Sequence, residues 1–289
     1  MTTTRPYTEC EVSTSDGNIG VTDWSAEGPA VLFVHATGFH RRCWDRVIEL
    51  LPGYRCVAVD ILGHGISDKP APPEPYGWDR LARSLGEAAQ KLQLNFSLGV
   101  GHSIGGYMVA RMAAAAPALF RELFLVDPSI LPEGAYGLQR TSAATSFVAK
   151  RRNQWASPEG MVERFRDRLP FSGWDPRVLH DYCTHGLMND PAGSGFILAC
   201  PPEVEAAIYT QTATSTPYQD ISRIELPVRI VRARQRPETG TFDMSYSPTA
   251  PDLASKFVDA TDECLQEYSH YLPMESPELV ARYVQSILR

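Results

Sequence analysis

The sequence predicts an α/β fold: a mostly parallel, doubly wound sheet interrupted by an inserted helical segment. Three observations carry the prediction. Continuous apolar runs alternate with amphipathic stretches, the mark of strands buried on both faces and covered by crossing helices. The alternation stops between Leu131 and Thr216 and then resumes. One apolar run also turns abruptly into a helix-like run at Gly101-His102-Ser103-Ile104-Gly105.

The elements follow in order. Runs 8–13 and 18–23 flank Asp16-Gly17, a hairpin signal. Runs 30–35 and 55–60 are apolar strands, with a short helix at 44–51 between them. Helix 78–92 places Trp78, Leu81, Leu85, Ala88 and Leu92 on one face. Strand 97–101 leads into the sharp turn, helix 104–116 follows it, and Pro117 closes that helix. Strand 122–127 comes next. The interruption then holds candidate helices at 137–156, 158–168, 176–186 and 202–211, with a short strand at 194–198. Strands 227–233 and 262–268 restore the rhythm. The last helix opens on Ser276-Pro277-Glu278, read as an N-cap, a first-turn proline and a first-turn acid. Residues 70–75 read as a proline-rich surface loop.

Bulk properties narrow the class. The 289 residues suffice for one large α/β domain with an insertion, or for two small domains. Hydrophobic residues make up 43% and charged residues 21%, a globular balance. The net charge of −7 and the lack of a long basic run argue against nucleic acid and anionic membranes as partners. No apolar run approaches the roughly 20 residues that span a bilayer. The polar N-terminus has no apolar signal core, so a cytoplasmic location is expected. The six cysteines are scattered, as reduced thiols in a core would be, and do not join the seven histidines at zinc-ligand spacing. No cofactor or metal is expected. The expected partner is a small-molecule substrate, and a homodimer is compatible with this composition.

The turn at Ser103 is where chemistry concentrates. A strained turn needs small neighbours, and Gly101, Gly105 and Gly106 supply them. The helix after it aims free N–H groups at charge near the serine oxygen. A serine hydroxyl is a weak nucleophile and needs a base. His270, after the last predicted strand in Ser269-His270-Tyr271-Leu272-Pro273, is the candidate.

The G-x-S-x-G turn, the His35-Ala36-Thr37-Gly38-Phe39-His40 loop after the third strand, and His270 ahead of the final helix together resemble the α/β-hydrolase superfamily over nearly the whole chain. The resemblance implies the α/β-hydrolase fold with a helical cap: residues 1–130 and 217–289 as core, 131–216 as cap. It implies Ser103 as nucleophile, His270 as base, and the backbone N–H groups of Thr37 and Ile104 as oxyanion hole. It gives His35 and His64 structural roles and leaves His102 as the variable residue before the nucleophile. Many relatives carry their acid after the seventh strand in a G-x-x-D-P segment. Here that stretch is Ala233-Arg234-Gln235-Arg236-Pro237, and a cation at Arg236 cannot stabilise an imidazolium. The sixth strand instead ends in Leu125-Val126-Asp127-Pro128-Ser129, similar to haloalkane dehalogenases, so Asp127 is the expected acid, with Glu238 and Asp243 as alternatives.

The implied activity is a serine hydrolase cleaving a carboxylic ester or lactone of a small, largely apolar substrate through an acyl-enzyme. A serine nucleophile excludes the dehalogenase route, which uses an aspartate. Three alternatives share the fold: a cofactor-independent dioxygenase, a carbon–carbon bond hydrolase, and a non-catalytic small-molecule receptor. The aromatic residues of 131–216, among them Phe147, Phe171 and Trp174, are expected to be divided between packing and an apolar pocket.

Overall fold

The apolar runs form an eight-stranded sheet in a computed structural model that describes residues 5–72, 76–137, 147–237 and 243–289. The strands are β1 (Thr8–Thr14), β2 (Gly17–Trp24), β3 (Ala30–Val34), β4 (Arg55–Val59), β5 (Phe96–His102), β6 (Phe120–Val126), β10 (Val228–Ala233) and β11 (Ala260–Leu265). Their spatial order is β1-β2-β4-β3-β5-β6-β10-β11. The pairs β1·β2 and β2·β4 are antiparallel, and every neighbouring pair from β4 to β11 is parallel. The register sets Val34 beside Gly101, Gly101 beside Leu125, and Val126 beside Val231. The carboxyl ends of β3, β5, β6 and β10 are thereby gathered at one edge, where open α/β sheets bind their ligands.

Alternation along the strands builds two apolar layers. Leu32, Val34, Val57 and Leu125 face one side with helices α2 (Trp78–Lys91) and α3 (Ile104–Ala115). Val31, Phe33, Ala58 and Phe124 face the other with α1 (Asp45–Glu49) and α9 (Pro277–Ile287). Helix α3 lies close on the sheet because two glycines allow it. A Cβ on Gly101 would meet Gly105 O at 2.3 Å, and one on Gly105 would meet Val34 O at 2.3 Å.

Between β6 and β10 lie helices α4 (Pro158–Phe165), α5 (Pro176–His185), α6 (Pro202–Thr210) and α7 (Tyr218–Ile221). They accompany a small antiparallel sheet, β7 (Gln154–Trp155), β9 (Phe196–Leu198) and β8 (Leu187–Asn189), in that spatial order. Trp155, Met161, Trp174, Tyr182 and Leu198 form a third apolar cluster with Phe39 and Met274 of the main body. Among the described residues, no helix is long and apolar enough to cross a membrane.

Several expectations need correction. The last strand is 260–265, not 262–268. As an edge strand it exposes Thr261, Asp262 and Glu263, so no apolar run marks it. Residues 154–155 of the helix expected at 137–156 form a strand, and 138–146 lie outside the described residues. So do 73–75 of the proline-rich loop. The helix expected at 44–51 divides into a 3-10 turn, Arg41–Trp44, and α1. Ser276 stands at the N-cap of α9, but its side chain makes no capping hydrogen bond.

Candidate active site

Ser103 is the single residue between the end of β5 and the start of α3, at φ 58° and ψ −122°. A non-glycine residue at this angle is strained by about 1–3 kcal/mol. The surroundings hold it there. Its N–H donates to Val126 O at 3.1 Å, and its carbonyl accepts from Ser129 N at 2.8 Å and Gly106 N at 3.0 Å. In this position Ser103 Oγ lies 3.0 Å from His270 Nε2. His270 Nδ1 lies 2.6 Å from Asp127 Oδ2. The carboxylate fixes the tautomer: Nδ1–H donates to Asp127, leaving Nε2 to accept the Ser103 proton.

Asp127 is the first residue past β6 and has a positive φ of 43°. Its N–H donates to Val231 O at 2.7 Å. Oδ1 accepts from Ala233 N at 3.0 Å and Ser247 Oγ at 2.5 Å, while Thr249 Oγ1, 3.2 Å from Oδ1, makes its shorter bond to Pro128 O at 2.7 Å. The segment after β10, where a strand-seven acid would stand, therefore supplies the Ser247 hydroxyl as a donor to the strand-six carboxylate. Sequence reasoning missed Ser247 and Thr249, and the Ser247-Pro248-Thr249 run was their only signal. Asp243 is exposed, and its carboxylate accepts from Ser245 N at 2.8 Å rather than meeting His270. Glu238 lies outside the described residues.

Two histidines brace the loop after β3. His35 Nδ1 donates to Ala36 O at 2.7 Å, and its Nε2 accepts from Ile61 N at 3.0 Å. His64 Nε2 accepts from Gly38 N at 3.0 Å. Accepting through Nε2 requires neutral rings. Burial supplies this, lowering His35 to about 4 and His64 to about 3. Gly38 has a φ of +78°, and a Cβ there would meet Glu205 Oε1 at 2.7 Å. Ala36 is not among the positive-φ residues, so an alanine fits the loop's backbone there. Thr37 lines the cavity beside Ser103 and His270, and Ile104 begins α3 next to Ser103. Among the described residues neither N–H donates to a protein group.

His102 does more than its expected place as a variable residue suggests. Its Nε2 donates to the His270 carbonyl at 2.7 Å, while His270 N–H donates to Ser245 O at 2.8 Å. The loop carrying His270 is thus tied to the end of β5. Burial lowers His102 to about 3, which keeps the ring neutral against its neighbour. Ser129 was also missed, and its Oγ lies 3.0 Å from Ser103 Oγ.

Ser103 stands where two lobes of a cavity meet. One, of about 90 Å³, is lined by Ser129, Thr212, Arg236, Asp243 and Tyr246. The other, of about 280 Å³, is walled by Phe39, Phe165, Phe171, Trp174 and Tyr271. The side chains of Arg151, Glu205 and Tyr182 also reach its wall. Arg151 pairs with Glu205 and donates to Tyr182 Oη at 3.2 Å. Burial raises the Glu205 carboxyl, and the guanidinium pulls it back only in part.

The chain belongs to the alpha/beta hydrolase family, whose model matches residues 31–283. It is 33% identical over 277 residues to a lipase of Mycobacterium tuberculosis, LipV, covering 94% of this chain and 98% of the relative. It is 28% identical over 287 residues to a non-heme chloroperoxidase of Streptomyces lividans, covering 93% and 95%. Two solved structures share the fold. An esterase of M. tuberculosis superposes with a TM-score of 0.74 at 22% identity, covering 98% of this chain and 92% of that one. E-2-(acetamidomethylene)succinate hydrolase gives 0.75 at 19%, covering 98% and 99%.

Proposed function

We propose that this member of the alpha/beta hydrolase family is a serine hydrolase cleaving a carboxylic ester or lactone of a small, largely apolar substrate through an acyl-enzyme. One observation carries the reading: the His270 ring spans Ser103 Oγ at 3.0 Å and the Asp127 carboxylate at 2.6 Å. His270 Nε2 takes the Ser103 proton as Oγ bonds to the carbonyl carbon. Asp127 stabilises the imidazolium through Nδ1–H. The carbonyl oxygen, now negative, takes the N–H groups of Thr37 and Ile104 as donors. The imidazolium then protonates the departing alcohol, and water enters by the same route to release the acid.

The inserted segment 131–216 acts as the cap, and its aromatic lobe receives the apolar part of the substrate. Full-length similarity to a lipase supports ester chemistry. Similarity of like extent to a protein named as a chloroperoxidase favours a second reading, oxidative chemistry at the same site. A panel of 4-nitrophenyl esters tests the choice. The account expects turnover that Ser103→Ala lowers by a factor on the order of a million, as loss of the serine does in a serine protease. Failure of the wild type to turn over any ester, with substrate oxidation retained in Ser103→Ala, would favour the second reading.

A further inference from the structure

We infer that the Ser129 hydroxyl is a further catalytic group, assisting departure of Ser103 Oγ from the acyl-enzyme. The inference rests on the acyl-enzyme reading above.

Among the described residues, Ser103 Oγ has two hydrogen-bonding neighbours, His270 Nε2 at 3.0 Å and Ser129 Oγ at 3.0 Å. A serine hydroxyl carries one proton. Ser103 commits its own to His270, so Ser129 is left to donate into a Ser103 lone pair. Ser129 is well placed for this. Its N–H donates to the Ser103 carbonyl at 2.8 Å. The following turn is closed by Ile130 N to Pro128 O at 2.7 Å and tied down by Ala250 N to Ile130 O at 2.8 Å. Ser129 also lines the same cavity lobe as Ser103 and His270. The three-residue run Asp127-Pro128-Ser129 therefore touches the relay at both ends, with a carboxylate behind His270 and a hydroxyl against Ser103.

The balance of the step shows when the hydroxyl matters. In deacylation His270 takes a proton from water, whose oxygen bonds to the acyl carbon. The carbonyl pair moves onto the oxygen facing Thr37 and Ile104. When that pair returns, the bond from carbon to Oγ breaks. Its electrons stay on Oγ, which takes the proton held by His270. Ser129 keeps its own proton throughout and only donates a hydrogen bond. An ester oxygen is a poor acceptor, whereas a departing alkoxide-like oxygen is a strong one. The Ser129 bond is therefore weak in the acyl-enzyme and strong in the transition state that breaks it, the difference that accelerates a step. In the free enzyme Ser103 Oγ already accepts this bond, so acylation gains less.

The test is pre-steady-state hydrolysis of 4-nitrophenyl acetate. Ser129→Ala should lower kcat by roughly ten- to a hundredfold, the range for one charge-assisted hydrogen bond. KM should fall in proportion, leaving kcat/KM near the wild-type value. A burst of nitrophenol approaching about one equivalent per enzyme should appear as acyl-enzyme accumulates. Ser129→Thr, which keeps the hydroxyl, should restore kcat. A merely structural role would lower kcat and kcat/KM together without a burst; that result, or unchanged kinetics, would overturn the inference. Fluorophosphonate labelling of the wild type separates the two readings. An unlabelled Ser103 removes the acyl-enzyme and this role with it. A labelled Ser103 with unchanged partitioning in Ser129→Ala removes only the role of Ser129.

Discussion

On the sheet side of the cavity, the side chains of the proposed relay are placed by hydrogen bonds to the backbone of neighbouring strand ends and loops. Ser103 is tied to Val126, Asp127 to Val231 and Ala233, and His270 to Ser245 and His102. On the side of the inserted segment, ring packing does the placing. Phe165 stacks on Phe171 with centroids 4.2 Å apart, and Trp174 meets Phe171 at 4.8 Å and Tyr182 at 5.4 Å. The two sides therefore tolerate change differently. A directional hydrogen bond fails when its atom is removed. A packed apolar wall adjusts to a new shape at modest cost while volume is kept.

Substitutions on the two sides should therefore differ in effect. After Ser103→Ala and the Asp127→Asn change taken up below, the next largest effect concerns the ring wall. Phe171→Ala should leave 4-nitrophenyl acetate turnover close to wild type. For long-chain or aryl esters it should cost roughly ten- to a hundredfold in kcat/KM, the scale of lost apolar contact in a pocket. Equal losses on short and bulky esters would show that the wall positions the relay as well as the substrate.

A smaller effect concerns pH. Burial lowers His35 and His64 to about 4 and 3, and His40 and His102 to about 3. In the unfolded chain such rings titrate near 6.5. Because the folded values are depressed, the unfolded chain binds more protons below about pH 6.5, and stability is lost as pH falls from there toward 4. The urea midpoint should be level between pH 7 and 8 and fall steadily below about 6.5. A level profile down to pH 4.5 would mean these rings are charged in the fold, and that His35 and His64 do not accept the hydrogen bonds described.

Much of the sheet side was legible in the sequence, for a physical reason. Strands β3 to β6 are buried on both faces and so read as unbroken apolar runs, and a strained turn at Ser103 requires the glycines around it. The cation at Arg236 directed attention to Asp127, which the structure brings beside His270. His102 and Ser129 were not legible as site residues. Their part depends on where a side chain points, and His102 reaches a carbonyl 168 positions away. Strands β7 and β8 are two or three residues long, too short for alternation to register, whereas β9 falls within the short strand expected at 194–198. Edge strand β11 carries charge on its exposed positions, with Asp262 paired to Arg232.

The central claim is that Asp127, through His270, makes Ser103 a nucleophile. Intact-mass measurement of fluorophosphonate labelling over time tests it most directly. One adduct per chain is expected, located at Ser103 and absent in Ser103→Ala. Asp127→Asn should slow labelling by up to about four orders of magnitude, as loss of the acid does in serine proteases. Asp243→Asn and Glu238→Gln should label at close to the wild-type rate. An adduct elsewhere, or fast labelling of Asp127→Asn alongside slow labelling of Asp243→Asn or Glu238→Gln, would contradict the account.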